Sequence, residues 1–155
     1  VRVYSSPDKS RSNTDLVNKY IKNETELGLF DIVNYENFMK KIEKDKHSTV
    51  QSILKMKERG LSIAAVGAAA RSNTLLNYYK LDSSVIDFIT DSSEHKIGKY
   101  TPGSCIPILD DVALKERNPD VAIILSWNIG KFLIEKIQGI NPNMEVITIG
   151  GKELL

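Results

Sequence analysis

The strongest constraint on the fold is a change of pattern at Leu61. Beyond it, five short segments are apolar and rich in β-branched side chains: LSIAAVG (61–67), VIDFITD (85–91), CIPIL (105–109), DVAIILSW (120–127) and MEVITIG (144–150). Runs without polar alternation are typical of parallel strands covered on both faces. Helix candidates at 74–79, 112–117 and 129–137 lie between them. This order predicts an α/β domain with a doubly wound, mostly parallel sheet.

The first 60 residues follow a different pattern. Residues 1–4 (VRVY) alternate and predict a strand, and a helix is expected from Asn13 or Thr14 to about Leu27, ended by Gly28. Apolar residues then recur at three- and four-residue steps from Tyr35 onward, which predicts a helix closed by Gly60. We therefore expect a strand and helical hairpin (1–60) packed on an α/β part (61–155) in one compact domain. Because the chain starts with Val and a strand, we interpret it as the C-terminal piece of a longer protein.

Composition argues against several classes of function. With 21 basic and 20 acidic side chains, the net charge of +1 provides no field for nucleic acid or an anionic membrane. The apolar runs are too short to span a bilayer, and no leader is visible. A single cysteine, Cys105, fits a reducing cytoplasm. Two histidines and one cysteine have no metal-ligand spacing, and no catalytic motif is present. The residues therefore indicate a binding module.

Ligands in doubly wound sheets bind outside the carboxyl ends of the strands. The first such place is the turn GAAARSNT (67–74), where Gly67 and the alanines allow close approach. Asn73 or Thr74 stands where a helix N-cap is expected, and Arg71 can add a charge-assisted contact to an anion. A tight turn in which Asn73 only caps the helix remains the alternative. The turn lacks the GxGxxG of a dinucleotide site and the Gly-Lys-Ser/Thr of a P-loop.

Two further segments follow predicted strands. The polar stretch 91–108 offers Lys96 or Lys99 for charge and Tyr100 for stacking or a hydroxyl contact, unless it is only a surface crossover. His95 beside Glu94 is a weak candidate for a general base, because no nucleophile accompanies it. At 126–128, Trp127 could stack on a flat ring or plug the sheet end against another domain. Asn128 is expected to cap the next helix.

At these segments the sequence resembles the C-terminal domain of sugar C-methyltransferases. The resemblance rests on GAAARSNTLLNYY, VIDFITDSSEHKIGKYTPGSCIPIL and NPDVAIILSWN, and covers nearly the whole chain. NTLLNY, K-x-G-x-Y-x-P-G and IPI in this order are specific as a set. The family methylates a carbon of a nucleotide-linked deoxysugar with S-adenosylmethionine (SAM). VRVY resembles the strand that closes the preceding methyl-donor domain, and the hairpin resembles the connector.

The resemblance implies that catalysis and substrate binding are assigned to different domains of the parent protein. A structural zinc module, the SAM-binding domain and the Tyr/His acid–base residues would lie upstream, in cis. This C-terminal domain, itself Rossmann-like, would hold the nucleotide diphospho-sugar and carry no catalytic residue, metal or cofactor. The implied contacts, carried over by position, are Ala69, Asn73, Thr74, Lys96, Tyr100, Gly103 and Asn128.

This chain departs from the family at one pair of residues. Family members commonly show Lys-Gly before Asn-Thr, and here Arg71-Ser72 replaces it. A turn that requires positive φ at Ser72 would be strained. A different class of function stays open beside the transferase: a non-enzymatic Rossmann-like module that binds a nucleotide or acyl-coenzyme A, or mediates assembly.

Overall fold

The computed structural model describes residues 2–149, and the chain divides into a unit up to Asp45 and a unit from Lys46 onward. In the first unit, residues 2–14 form neither helix nor strand. Helix α1 (Asp15–Glu26) follows, and helix α2 (Ile32–Glu58) begins in this unit and ends in the second. Thr14 takes the extended backbone of an N-cap, although its side chain makes no capping hydrogen bond, and Gly28 turns the chain with φ 69°. Both predicted helices are confirmed.

The strand predicted at residues 1–4 is not present in the part of it that the structure describes. Val1 lies outside the described residues, and Val3 and Tyr4 are 82% and 84% exposed in irregular backbone. A strand needs a hydrogen-bonded neighbour, and the described sheet pairs none of its five strands with this segment. The prediction of a strand from the alternation of residues 2–4 is therefore wrong for this chain.

The second unit contains all five predicted strands. After the end of α2 come β1 (Ile63–Val66), α3 (Ala70–Tyr79), β2 (Phe88–Thr90), β3 (Ile108–Leu109), α4 (Val112–Arg117), β4 (Val121–Ile124), a 3-10 turn (Trp127–Ile129), α5 (Gly130–Ile140) and β5 (Glu145–Thr148). The sheet order is β3-β2-β1-β4-β5, and every neighbouring pair is parallel. This is a doubly wound, Rossmann-like α/β fold, as predicted, with an all-parallel sheet over the described residues.

Helices cover both faces of this sheet. On one face, Ile63 of β1 and Ile123 of β4 pack in a cluster with Ile53 of α2 and with Leu76 and Tyr79 of α3. On the other face, side chains of β1, β2 and β4 pack with residues of α4 and α5, among them Leu114, Leu133 and Ile137. Successive residues of a strand point to opposite faces, so burial on both sides requires apolar residues throughout. All four residues of β1 and of β4 are buried, which explains the unbroken apolar runs.

Candidate functional site: the crevice between β1 and β4

The order of the sheet reverses between β1 and β4. The connection after β1 leads through α3 to β2, whereas the connection after β4 leads through α5 to β5 on the opposite side. Ligands of doubly wound folds bind in the crevice at this point. Gly67, with φ 95°, lies so close to Ser126 that a Cβ atom at Gly67 would collide with the Ser126 Oγ. A glycine therefore lets the two loops meet.

Helix α3 begins at this crevice without a side-chain cap. Ala69 occupies the N-cap position in extended backbone (φ −78°, ψ 162°), and its methyl side chain cannot accept a hydrogen bond. The first N–H groups of an α-helix have no partner within the helix, and they carry partial positive charge. Since Ala69 leaves these donors without a side-chain acceptor, the start of α3 is suited to an anion.

Asn73 and Thr74 are not the N-cap that the sequence predicted. The helix starts at Ala70, so both residues lie inside it, and the Thr74 hydroxyl donates to the Ala70 carbonyl at 3.4 Å. The physical reason is helix propensity, because alanine and arginine are strong helix formers and extend the helix towards β1. The concern about strain at Ser72 is also wrong, since Ser72 lies within α3 and is not among the residues with positive φ.

Two polar atoms near the start of α3 are buried without a partner. They are the Ser72 Oγ, in a residue that is 1% exposed, and the Asn73 Oδ1. Buried polar atoms are nearly always hydrogen-bonded, and an unmade bond costs about 1–3 kcal/mol. From the sequence, Ser72 is notable only because it stands where relatives commonly have glycine. Its burial was not readable from the residue type.

Arg71 and Trp127 connect α3 to the end of β4. The guanidinium carbon of Arg71 lies 5.4 Å from the centroid of the Trp127 ring, which is the geometry of a cation–π contact. Asn128 lies in the 3-10 turn and is exposed, while Ile129 occupies the N-cap position of α5. The predicted capping role of Asn128 is therefore wrong, because the 3-10 turn is inserted between β4 and α5.

Asp91, directly after β2, joins the loops of two strands. Its carboxylate accepts hydrogen bonds from the Ala68 N–H, the Ser93 N–H and the Lys96 ammonium group, each at 2.9 Å. Burial by itself would raise the pKa of the Asp91 carboxyl, but these hydrogen bonds and the charge of Lys96 outweigh burial and lower that pKa below its usual value. Asp91 was not predicted as an anchor from the sequence. The available signal was an acidic residue at the carboxyl end of a predicted strand.

This ion pair changes the interpretation of Lys96. The ammonium group predicted to meet a ligand already contacts Asp91, although 40% of the Lys96 side chain is exposed. Lys96 therefore holds its own loop beside the turn after β1. A contact with a ligand would have to be made in addition to this ion pair.

The stretch 91–108 is more ordered than a long crossover loop. Tyr100 and Pro107 form an antiparallel bridge, and the buried hydroxyls of Thr101 and Ser104 are 2.7 Å apart. The Asn77 side chain of α3 donates to the Pro102 carbonyl at 3.0 Å. The structure thus turns this stretch into a compact hairpin against α3.

The predicted residues Tyr100 and Gly103 belong to this hairpin. Gly103 has φ 80°, and a Cβ atom there would collide with the Asn77 side chain, so glycine is needed for packing. Tyr100 is 67% exposed. Asn77 lies about one helical turn beyond Asn73. The structure therefore groups Ala69, Arg71, Asn73, Thr74 and Asn128 at the crevice, with Lys96 tied to its rim, while Tyr100 and Gly103 lie further along α3.

Two further observations concern metal sites and membrane-spanning helices among the described residues. Within residues 2–149, no group of three or more His, Cys, Asp or Glu side chains is arranged to hold a metal ion. Over the same part of the chain, no helix combines the length and the apolar character that a membrane crossing needs.

The fold is that of a Rossmann-like domain in which α3 starts without a side-chain cap at the switch point of the sheet. A family model described as the C-methyltransferase C-terminal domain matches residues 1–148, and the chain belongs to this family. The chain is also similar to the C-methyltransferase NovU of Streptomyces niveus, with 26% identity over 119 residues. That match covers 77% of this chain and 28% of NovU, so the chain spans well under half of this relative. The resemblance inferred from the sequence is confirmed: this is a methyltransferase-related domain.

Proposed function

We propose that this domain binds the nucleotide diphospho-sugar substrate of a SAM-dependent C-methyltransferase and orients the sugar for methyl transfer. The observation that carries the proposal is the uncapped start of α3 at the β1–β4 crevice, with Arg71 beside it. A diphosphate provides the negative charge and the acceptor oxygens that these donors lack.

Arg71 can hold a phosphate without leaving Trp127. The guanidinium carries five N–H donors, and a contact with one ring at 5.4 Å does not occupy all of them. The Ser72 hydroxyl can then donate to or accept from the ligand. The Asn73 Oδ1 can accept from a hydroxyl of the sugar or of the nucleoside. The site thus offers both donors and acceptors, as a nucleotide sugar requires.

The chemical step belongs to other parts of the parent protein in this proposal. The methyl group would come from SAM bound by an upstream domain in cis, and the acid–base residues and a structural zinc would also lie upstream. This domain would contribute orientation, which fixes the acceptor carbon relative to the donor. The single cysteine, Cys105, leads us to propose a reducing, cytoplasmic location.

The test is a titration of the 155-residue chain with UDP-glucose, TDP-glucose and inorganic pyrophosphate, followed by amide NMR shifts. We expect both nucleotide sugars to shift the amides of Ala70, Arg71 and Ser72. Arg71→Gln should weaken binding about tenfold or more, because it removes a charge-assisted hydrogen bond. The matched control is Arg59→Gln. Arg59 lies just before β1, on the side of the sheet where the strands begin, away from the crevice at their carboxyl ends.

Two outcomes would contradict the proposal. One is no binding at millimolar nucleotide sugar. The other is equal loss of affinity in Arg71→Gln and Arg59→Gln. Coenzyme A serves as a further ligand in the same titration. Tighter binding of coenzyme A than of either nucleotide sugar would favour the non-enzymatic alternative, against which the family membership argues.

A further inference from the structure

A second concave surface lies away from the crevice, between the C-terminal half of α2 and the end of α3. We call it the lysine groove. Its volume is about 480 Å³, and its lining residues are Lys46, His47, Val50, Gln51, Leu54, Lys55, Glu58, Tyr79 and Lys80. Helix α3 starts at the carboxyl edge of the sheet and runs back towards the amino edge, where α2 also ends before β1. The groove is therefore a different site from the β1–β4 crevice.

The floor of the lysine groove is apolar. Val50 and the nearly buried Tyr79 pack against the core of the α/β unit, whereas Leu54 remains 41% exposed. Helix α2 buries Ile53 towards the sheet, so the adjacent Leu54 presents apolar surface to the groove. Pockets of about 300–1,000 Å³ with a mainly apolar lining are typical of small-molecule sites.

The rim of the groove is positively charged. Three lysines, Lys46, Lys55 and Lys80, line it together with a single carboxylate, Glu58. The Lys46 ammonium group lies 4.4 Å from the centroid of the Tyr78 ring, and none of the three lysines forms an ion pair with a described residue. Lys57 on the same helix differs, because its charge is neutralised by Asp87 at 2.6 Å.

We propose that the lysine groove binds a small organic anion with a flat apolar body, such as an aryl carboxylate, sulfonate or phosphate ester. The apolar body would cover Leu54 and Tyr79, and the anionic group would meet Lys55 and Lys80. A cation of the same shape would be repelled by the rim, and a neutral molecule would lack the Coulomb attraction that an anion gains from the lysines. Charge and apolar surface together thus select the ligand class.

A substitution at Lys80 can test ligand binding without lowering the stability of the fold. Lys80 ends α3 in the left-handed region, with φ 58° and ψ 36°, a conformation that favours glycine. Lys80→Gly should therefore leave stability unchanged or raise it, while it removes one positive charge from the rim. A loss of affinity in this variant would not arise from unfolding.

The experiment uses the 155-residue chain and the probe 1-anilinonaphthalene-8-sulfonate, followed by amide NMR shifts and fluorescence. We expect shifts at Val50, Leu54 and Tyr79. Lys55→Gln and Lys80→Gly should each weaken binding about two- to fivefold, as expected for a partly screened charge contact. Leu54→Asp should abolish binding, and Lys115→Gln on α4 is the control without effect.

The uncharged analogue N-phenyl-1-naphthylamine has the same rings without the sulfonate, and it should bind more weakly. Three results would overturn the proposal. The first is equal affinity for the two probes. The second is shifts confined to exposed apolar residues of the first unit, such as Tyr20 and Phe38, or to the crevice. The third is unchanged affinity in Lys80→Gly.

Discussion

Gly67 is the residue that allows the two loops of the crevice to meet. Its φ of 95° lies in a region that L-residues rarely adopt, and a Cβ would collide with Ser126. We expect Gly67→Ala to lower the free energy of unfolding by about 2 kcal/mol or more, measured by urea denaturation. Gly139→Ala is the control: Gly139 lies in α5 with open space around it, so alanine should stabilise by about 0.5–1 kcal/mol. Equal effects at both positions would contradict the close approach.

Substitution of Ser72 tests whether its buried hydroxyl serves ligand binding or the stability of the fold. Its Oγ is buried without a partner, so Ser72→Ala should raise the free energy of unfolding by up to about 1 kcal/mol and weaken nucleotide-sugar binding. Ser104→Ala is the matched comparison, because the buried Ser104 hydroxyl is bonded to that of Thr101. That variant should destabilise by about 1 kcal/mol and leave binding unchanged. Destabilisation by both variants would argue that the Ser72 hydroxyl has a structural partner.

At the scale of elements, Asp91 connects the turn after β1 with the segment after β2. We expect Asp91→Asn to destabilise the chain by about 1–3 kcal/mol near neutral pH. The substitution replaces a carboxylate that accepts three hydrogen bonds with a neutral amide. The double variant with Lys96→Gln should cost less than the sum of the two single variants, because both remove the same ion pair. Additive losses would show that the pair does not act as a unit.

The same carboxylate predicts a dependence of stability on pH. The pKa of Asp91 is lower in the folded chain than its usual value of 3.8, so protonation favours the unfolded state. The contribution of Asp91 is complete above the unfolded pKa and is lost as the pH falls below it, through the folded pKa. Urea titrations from pH 6 to pH 2 should show the difference between wild type and Asp91→Asn shrink below about pH 4. A constant difference would contradict the lowered pKa.

Helices α3 and α4 show which local sequence signals were sufficient to predict where a helix begins. Helix α4 has the predicted bounds, 112–117, because Asp110 accepts the Val112 N–H just before an apolar, helix-forming run. Helix α3 begins four residues before the predicted Thr74, at Ala70. Asn73 and Thr74 resemble a cap in sequence, but the alanines upstream continue the helix, and an N-cap can be any residue with extended backbone. A residue pattern alone did not distinguish these two starts.

At the scale of the whole molecule, the core lies in the second unit. Among the described residues, every buried hydrophobic side chain is Ile53 or a later residue, whereas α1 buries none. We therefore expect a chain that starts at Lys46 to unfold cooperatively, with a free energy of unfolding within about 1 kcal/mol of that of the whole chain. Circular dichroism in urea would measure both chains. Loss of cooperative unfolding in the shorter chain would contradict this assignment of the core.

The sequence by itself determined the class of fold, because strands buried on both faces must be apolar at every position and their runs are therefore visible locally. It also indicated the turn after β1 and the family. Only the tertiary structure decided that β1 and β4 adjoin, that Asp91 neutralises Lys96, and that the Ser72 hydroxyl is buried without a partner. The physical reason is that the pairing of β1 with β4 and the burial of Ser72 depend on segments far apart in the chain, and the Asp91–Lys96 pair depends on the path of the loop between them. Local periodicity describes which face of an element is buried, but not which side chain from elsewhere meets it.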